Sequence, residues 1–233
     1  MNDFLLEHYN AIYSILEGLS AITALICYKK YRLTTARYFI WFLVYLTICD
    51  YANNYVHHIQ NGFFSFLQGT KLVRNYWWTT IYWKVGAILF FAFYYYMILQ
   101  KKRFKQILKY AGCIFLGFSV IYIIWHWEAF FKQFFPIISV LGAVIIFLCT
   151  MFYFIEVLQS DKILTFYKSL NFYISAAIFI WWLIITPLVF YDIYNAHFDW
   201  NFIFLKWEIY LFANLCMYLT FTFALIWCKP QNE

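Results

Sequence analysis

Asp50, Asn53, Asn54 and His57 stand at i, i+3, i+4 and i+7 inside an apolar run that begins at Tyr38. On a helix that spacing gathers all four on one face. An ionisable group in hydrocarbon costs at least about 2.5 kcal/mol, so such a face turns toward protein or water and often marks function. Glu17, Lys84 and Asn214 interrupt other apolar runs. A rise of ~1.5 Å per residue, counted from the ends of those runs, puts Glu17 roughly 12 Å deep, Asp50 and Asn214 roughly 13 Å and Lys84 roughly 9 Å. The shared level predicts one cluster. In it the carboxylates of Glu17 and Asp50 surround the Lys84 ammonium, and Asn53, Asn54 and Asn214 add hydrogen bonds. A carboxylate pair around one ammonium lowers the cost of burying all three.

Three kinds of chemistry fit such a cluster. It can pin helix register as a buried ion-pair network. It can line a ligand pocket reached from outside, where two carboxylates against one lysine would favour a cationic or amine-bearing ligand. It can relay protons. Metal binding is not expected, because His57 and His58 are adjacent and point about 100° apart on a helix. No H-E-x-x-H, G-x-S-x-G or paired catalytic aspartates occur, so no enzyme and no cofactor is expected.

The elements that must hold these residues are transmembrane helices. The chain is 65% hydrophobic and 12% charged, and apolar runs of ~20 residues, the length that crosses a bilayer, recur along it. Backbone groups in lipid must be satisfied within a segment, and the runs lack the alternation of barrel strands. The expected fold class is an all-α integral membrane protein. Its single domain, residues 1–233, is a seven-transmembrane-helix bundle with helices near 9–28, 38–59, 78–99, 110–127, 136–158, 170–191 and 205–227. Pro136 suits a helix start, and Pro187 predicts a kink in the sixth helix. The six cysteines all fall in apolar runs or at their ends, which argues for packing roles rather than disulfides.

Twelve of the 17 basic residues fall in alternate linkers and the tail: Lys29 to Arg37, Lys101 to Lys109, Lys162, Lys168 and Lys229. The positive-inside rule then puts the N-terminus outside and the C-terminus in the cytoplasm. The start of the chain, with Asp3, Glu7 and His8 and no basic stretch, reads as retained rather than cleaved. The basic inner linkers suit anionic lipid or an acidic cytoplasmic or membrane-protein partner. No nucleic-acid partner is expected.

The stretch Phe154-Ile155-Glu156-Val157-Leu158-Gln159-Ser160-Asp161-Lys162-Ile163-Leu164, the later Ser169-Leu170-Asn171-Phe172-Tyr173-Ile174-Ser175, and the step Tyr28-Lys29-Lys30-Tyr31 together carry a resemblance. The pattern resembles a group of small seven-helix inner-membrane proteins of the Bacteroidota that have no assigned activity. The resemblance implies a bacterial inner (cytoplasmic) membrane location and the seven-helix fold. It carries over no activity and no site residues.

The layout leaves three classes of function. A sensor or receptor-like signalling component fits a polar pocket in the outer half above a drier inner half. A structural or accessory subunit of an envelope complex fits the short loops and bulky aromatic surface. A small-solute or proton transporter would need a polar path to both sides and, usually, broken helices. The orientation is directly testable: a phosphatase reporter fused after Glu233 should be silent and a fluorescent reporter there should glow. The reverse pattern would invert every depth above.

Overall fold

The computed structural model describes residues 8–59, 62–194 and 200–230. Asp3 and Glu7 lie outside them, as does the Lys162 side chain. The structure is 86% helical, and no strand occurs among the described residues. The long helices are α1 (Tyr9–Tyr31), α2 (Ala36–Asn53), α3 (Tyr76–Ile98), α4 (Lys102–Trp125), α5 (Pro136–Leu158), α6 (Leu170–Tyr194) and α7 (Trp200–Trp227). Pro136 opens α5 at a position where its missing N–H costs nothing. Pro187, where a kink is expected, lies inside α6, and the Thr186 hydroxyl before it bonds the Trp182 carbonyl at 2.6 Å.

Six of the seven are long and apolar enough to cross a membrane, so the molecule is a multi-pass, all-α membrane bundle. The exception is α2. It has 18 residues, carries Arg37 near one end and Asp50 near the other, and contains three tyrosines. Its apolar density therefore falls short of its neighbours'. It still packs along α1 and touches α3, and Phe39, Ile40, Leu43 and Leu46 are buried in the common core.

The seventh helix starts at Trp200 rather than 205, and two boundaries differ more from the sequence expectation. The second helix stops at Asn53 rather than continuing to 59, and Asn54–His58 winds on as a 3₁₀ turn. A 3₁₀ turn holds three residues, so His57 leaves the face that Asp50 and Asn53 share. The fourth helix starts at Lys102 rather than near 110, which turns most of a predicted basic linker into helix. Lys and Arg are good helix formers, and long side chains reach an interface from inside a helix end.

α1, α2, α3, α5, α6 and α7 close a ring, each packed on the next, and α4 lies outside against α3 and α5. Rings fill the interior. Phe42, Trp83, Trp181, Trp182, Tyr218 and Phe221 leave a central cavity of about 10 Å³, room for no more than one water. Helices come close where a side chain is missing. A Cβ on Gly142 of α5 would lie 3.0 Å from Ile88 of α3, the small-residue contact that replaces hydrophobic drive inside a bilayer.

Side chains cap the helix ends at the basic end. The Lys30 ammonium bonds the carbonyls of Leu225 and Ile226 at 3.1 and 2.8 Å, and the Tyr31 hydroxyl bonds those of Leu225 and Cys228 at 3.1 and 2.7 Å. These are the carbonyls that α7 cannot satisfy itself, and a cation belongs there. Both carboxylate oxygens of Glu156 accept backbone N–H groups, from Gln100 and Lys101, at 2.8 Å each. Glu156 thereby fixes the α3–α4 connection. At the other end Lys71 pairs with Glu128 across two connections, and its ammonium holds the Glu128 carboxyl below the usual carboxylate range.

Within α3, Thr80–Ala87 is a π-helix. Such wider turns are rare and frequently sit at functional sites. A Cβ on Gly86 would lie 2.9 Å from the Ile81 carbonyl oxygen and 3.6 Å from the Tyr45 hydroxyl of α2, so only glycine fits that turn. Gly86→Ala should lower the unfolding temperature in detergent, at a cost of roughly 1–3 kcal/mol. Gly18→Ala on α1, where a Cβ meets nothing within 4 Å, should be neutral or stabilising by up to about 1 kcal/mol. Equal effects at the two sites would refute the steric argument.

Candidate functional site

The ring brings Glu17 of α1 and Asp50 of α2 together, their carboxyls within hydrogen-bonding reach of each other. Glu17 is only 2% exposed. The groups that complete the site are tyrosines. Tyr82, on the π-helical part of α3, donates to Asp50 Oδ1 at 2.8 Å. Tyr218 of α7 donates to Glu17 Oε1 at 3.2 Å. Tyr13, one turn before Glu17, packs on Tyr218, the two rings meeting edge to face at 6.1 Å. The result is a chain of polar groups, Tyr218–Glu17–Asp50–Tyr82, that crosses α7, α1, α2 and α3.

The chemistry follows from donor and acceptor count. Two ionised carboxylates are acceptors only, so a hydrogen bond between them requires one proton held in common. Two charges side by side in a low-dielectric interior repel strongly. A single shared proton would leave the pair with one negative charge, flanked by two phenol hydroxyls. Chains of this kind polarise one another, so a change at one member is felt along the whole.

The other expected members take different places. Lys84 directs its ammonium over the Phe134 ring, 5.7 Å from the centroid. It lies two positions beyond Tyr82, and two steps along a helix turn a side chain to nearly the opposite side. With Tyr82 on Asp50, Lys84 faces away. The ammonium expected between the carboxyls is thus replaced by a tyrosine hydroxyl on each. Asn214 accepts a hydrogen bond from Trp181 Nε1 at 2.7 Å and fastens α7 to α6. Asn53 accepts one from the Thr79 hydroxyl at 3.3 Å, and Trp78 Nε1 donates to the Cys49 carbonyl at 2.8 Å, so the end of α2 is stitched to the start of α3. Asn54 belongs to the 3₁₀ turn beyond the helix and is half-buried.

Tyr82, Tyr218 and Tyr13 had no signal of their own in the sequence. Tyrosine is one of 22 in a chain that is 27% aromatic, and most such rings mark interfaces or packing. The clue available was need: a carboxylate in a membrane requires donors, and phenols that bury the ring and keep a polar tip are suited to supply them.

The class these features define is an all-α multi-pass membrane bundle with a tyrosine-bonded carboxyl pair in its interior. No protein-family model matches the chain, and neither a curated protein nor a solved structure shows significant similarity to it.

Tyr82→Phe should cost about 1.5–3 kcal/mol in detergent unfolding, because it removes a hydrogen bond to a carboxyl that can bear charge. Its loss and that of Asp50→Asn should be non-additive by at least ~0.5 kcal/mol. Additive losses would mean that the hydroxyl and the carboxyl do not act on each other.

Proposed function

We propose that the protein is a sensor-type, receptor-like membrane component whose responsive element is the Glu17–Asp50 pair, with the proton as the ligand it reads. One observation carries the reading: a carboxyl pair in the interior is tied by tyrosines to two further helices, α3 and α7. Adding or removing the shared proton changes the bonds available to four helices at once. Such a link between local charge and helix packing is what a switch requires. The π-helical part of α3, which carries Tyr82, supplies a segment able to exchange turns with an ordinary helix.

In this reading all seven helices span the membrane, α2 included, because it is flanked by α1 and α3 and shares their core. The chain sits in a bacterial inner membrane with the N-terminus outside and the C-terminus in the cytoplasm. The gathering of twelve of the 17 basic residues at the end that holds Lys30, Lys101 and Lys229 supports that orientation. A downstream protein partner would meet that basic cytoplasmic end.

Infrared difference spectra of the protein in lipid nanodiscs, recorded across pH, provide the test. The wild type should show the carbonyl band of a protonated carboxyl whose intensity changes with pH. Glu17→Gln and Asp50→Asn should each abolish that change, and Glu156→Gln should leave it intact. A spectrum with no pH-dependent carboxyl band, or one unaltered by both substitutions, would rule the proposal out.

A further inference from the structure

A second site lies away from the carboxyl pair, on the outside of the bundle. α3 and α4 form an antiparallel pair joined by Leu99, Gln100 and Lys101. They touch closely where Gly112 meets Ala92; a Cβ on the glycine would lie 3.5 Å from the alanine's. To the outer side of that contact the helices leave a groove of about 340 Å³, open along its length. Ala92, Phe93 and Tyr96 of α3 and Leu108, Gly112 and Leu116 of α4 line it. The lining is apolar except at the basic end. There Lys109 is part of the wall, and the Lys105 ammonium sits over the Tyr96 ring, 5.8 Å from its centroid.

The arrangement has a direction. Lys105 and Lys109 lie one and two turns into α4, and the groove continues past them to Leu116, roughly 21 Å from the start of the helix. Lys109 is roughly 10 Å along a segment that crosses the membrane, where an ammonium is costly unless it reaches the interface or meets an anion. The groove lining contributes no carboxylate. Glu156, the acid on α5 at this end, is engaged by the N–H groups of Gln100 and Lys101. Cations at the mouth and hydrocarbon beyond call for a molecule with an anionic head and an apolar tail.

We propose that the α3–α4 groove is a binding site for one anionic phospholipid, its phosphate held between Lys105 and Lys109 and an acyl chain laid along Phe93, Gly112 and Leu116. Basic pockets between helices at the cytoplasmic face recognise such head groups by charge. The groove adds what a diffuse basic surface lacks, a fixed channel for the chain. Occupation would brace α4, which is held only from one side, against α3. The site is independent of the carboxyl pair and stands or falls without it.

The full-length protein in mild detergent is mixed with phosphatidylglycerol or with phosphatidylethanolamine of the same acyl chains, and bound lipid is counted by native mass spectrometry. One phosphatidylglycerol should be retained in preference to phosphatidylethanolamine. The double change Lys105→Gln with Lys109→Gln should weaken retention roughly tenfold or more, as loss of two charge contacts predicts. Lys102→Gln with Arg103→Gln removes the same charge from α4 outside the groove and should retain the lipid. Bound phosphatidylglycerol should also slow the reaction of Cys113, an exposed thiol in the groove wall, with a membrane-soluble maleimide. Equal retention of the two lipids, equal losses in the two double variants, or unchanged Cys113 reactivity would overturn the proposal. Competition by glycerol phosphate as strong as that by the whole lipid would reduce the site to an anion contact and overturn it as well.

Discussion

Two carboxyl groups inside an apolar bundle set the terms for the rest of the structure. In water each would be ionised and solvated; between the helices no ion pair to an ammonium holds them among the described residues. Glu17 and Asp50 are instead paired with each other and with the hydroxyls of Tyr218 and Tyr82. That solution is possible only if α1, α2, α3 and α7 meet at one height with those side chains turned inward. A buried polar chain with a member missing is costly, since the remaining partner keeps its desolvation penalty. The chain therefore specifies helix register more sharply than ring packing does, because aromatic rings tolerate small rotations and short hydrogen bonds do not.

The same demand for satisfied polar groups organises the ends of the bundle. Lys30 and Tyr31 close the carbonyl end of α7, and Glu156 closes the connection between α3 and α4. Residues that composition alone assigns to topology thus have a second task. Lys30 adds charge to one face of the membrane and also supplies hydrogen bonds that α7 lacks. Glu156 sits among basic neighbours, yet its oxygens are taken by backbone N–H groups rather than by ammonium ions.

Asymmetry is the remaining feature of note. Six helices form a ring with a filled centre, while α4 lies on the outside and leaves most of its surface uncovered. The ring holds the carboxyl pair; the α3–α4 side offers a groove with a basic mouth. The two regions meet in α3, whose π-helical segment carries Tyr82 toward the interior while its later α-helical turns pack on α4. Events on either side of the bundle are thereby in contact with one helix.

Sequence alone determined the class. Long apolar runs without alternation can only be helices in lipid, and their order and the fifth helix, Pro136–Leu158, follow from length and proline chemistry. It also led to the expectation that Glu17, Asp50, Lys84 and Asn214 share a depth, because height along a helix is a simple count of residues once its ends are fixed; the ends of α2 at Asn53 and of α7 at Trp200 change that count for Asp50 and Asn214. Azimuth is not a simple count. Which way a side chain turns depends on neighbours that are distant in sequence, and in α3 also on a π turn that displaces every later residue around the axis. So depth placed Lys84 with the carboxyls, and packing placed Tyr82 there instead and Lys84 over Phe134. Asn214 went to Trp181 for the same reason. The end of α2 at Asn53 was likewise undetermined, since the residues beyond it remain apolar and polar in a helical rhythm. Only the stitching of Asn53 and Cys49 to Thr79 and Trp78 decided where that rhythm stops being a helix.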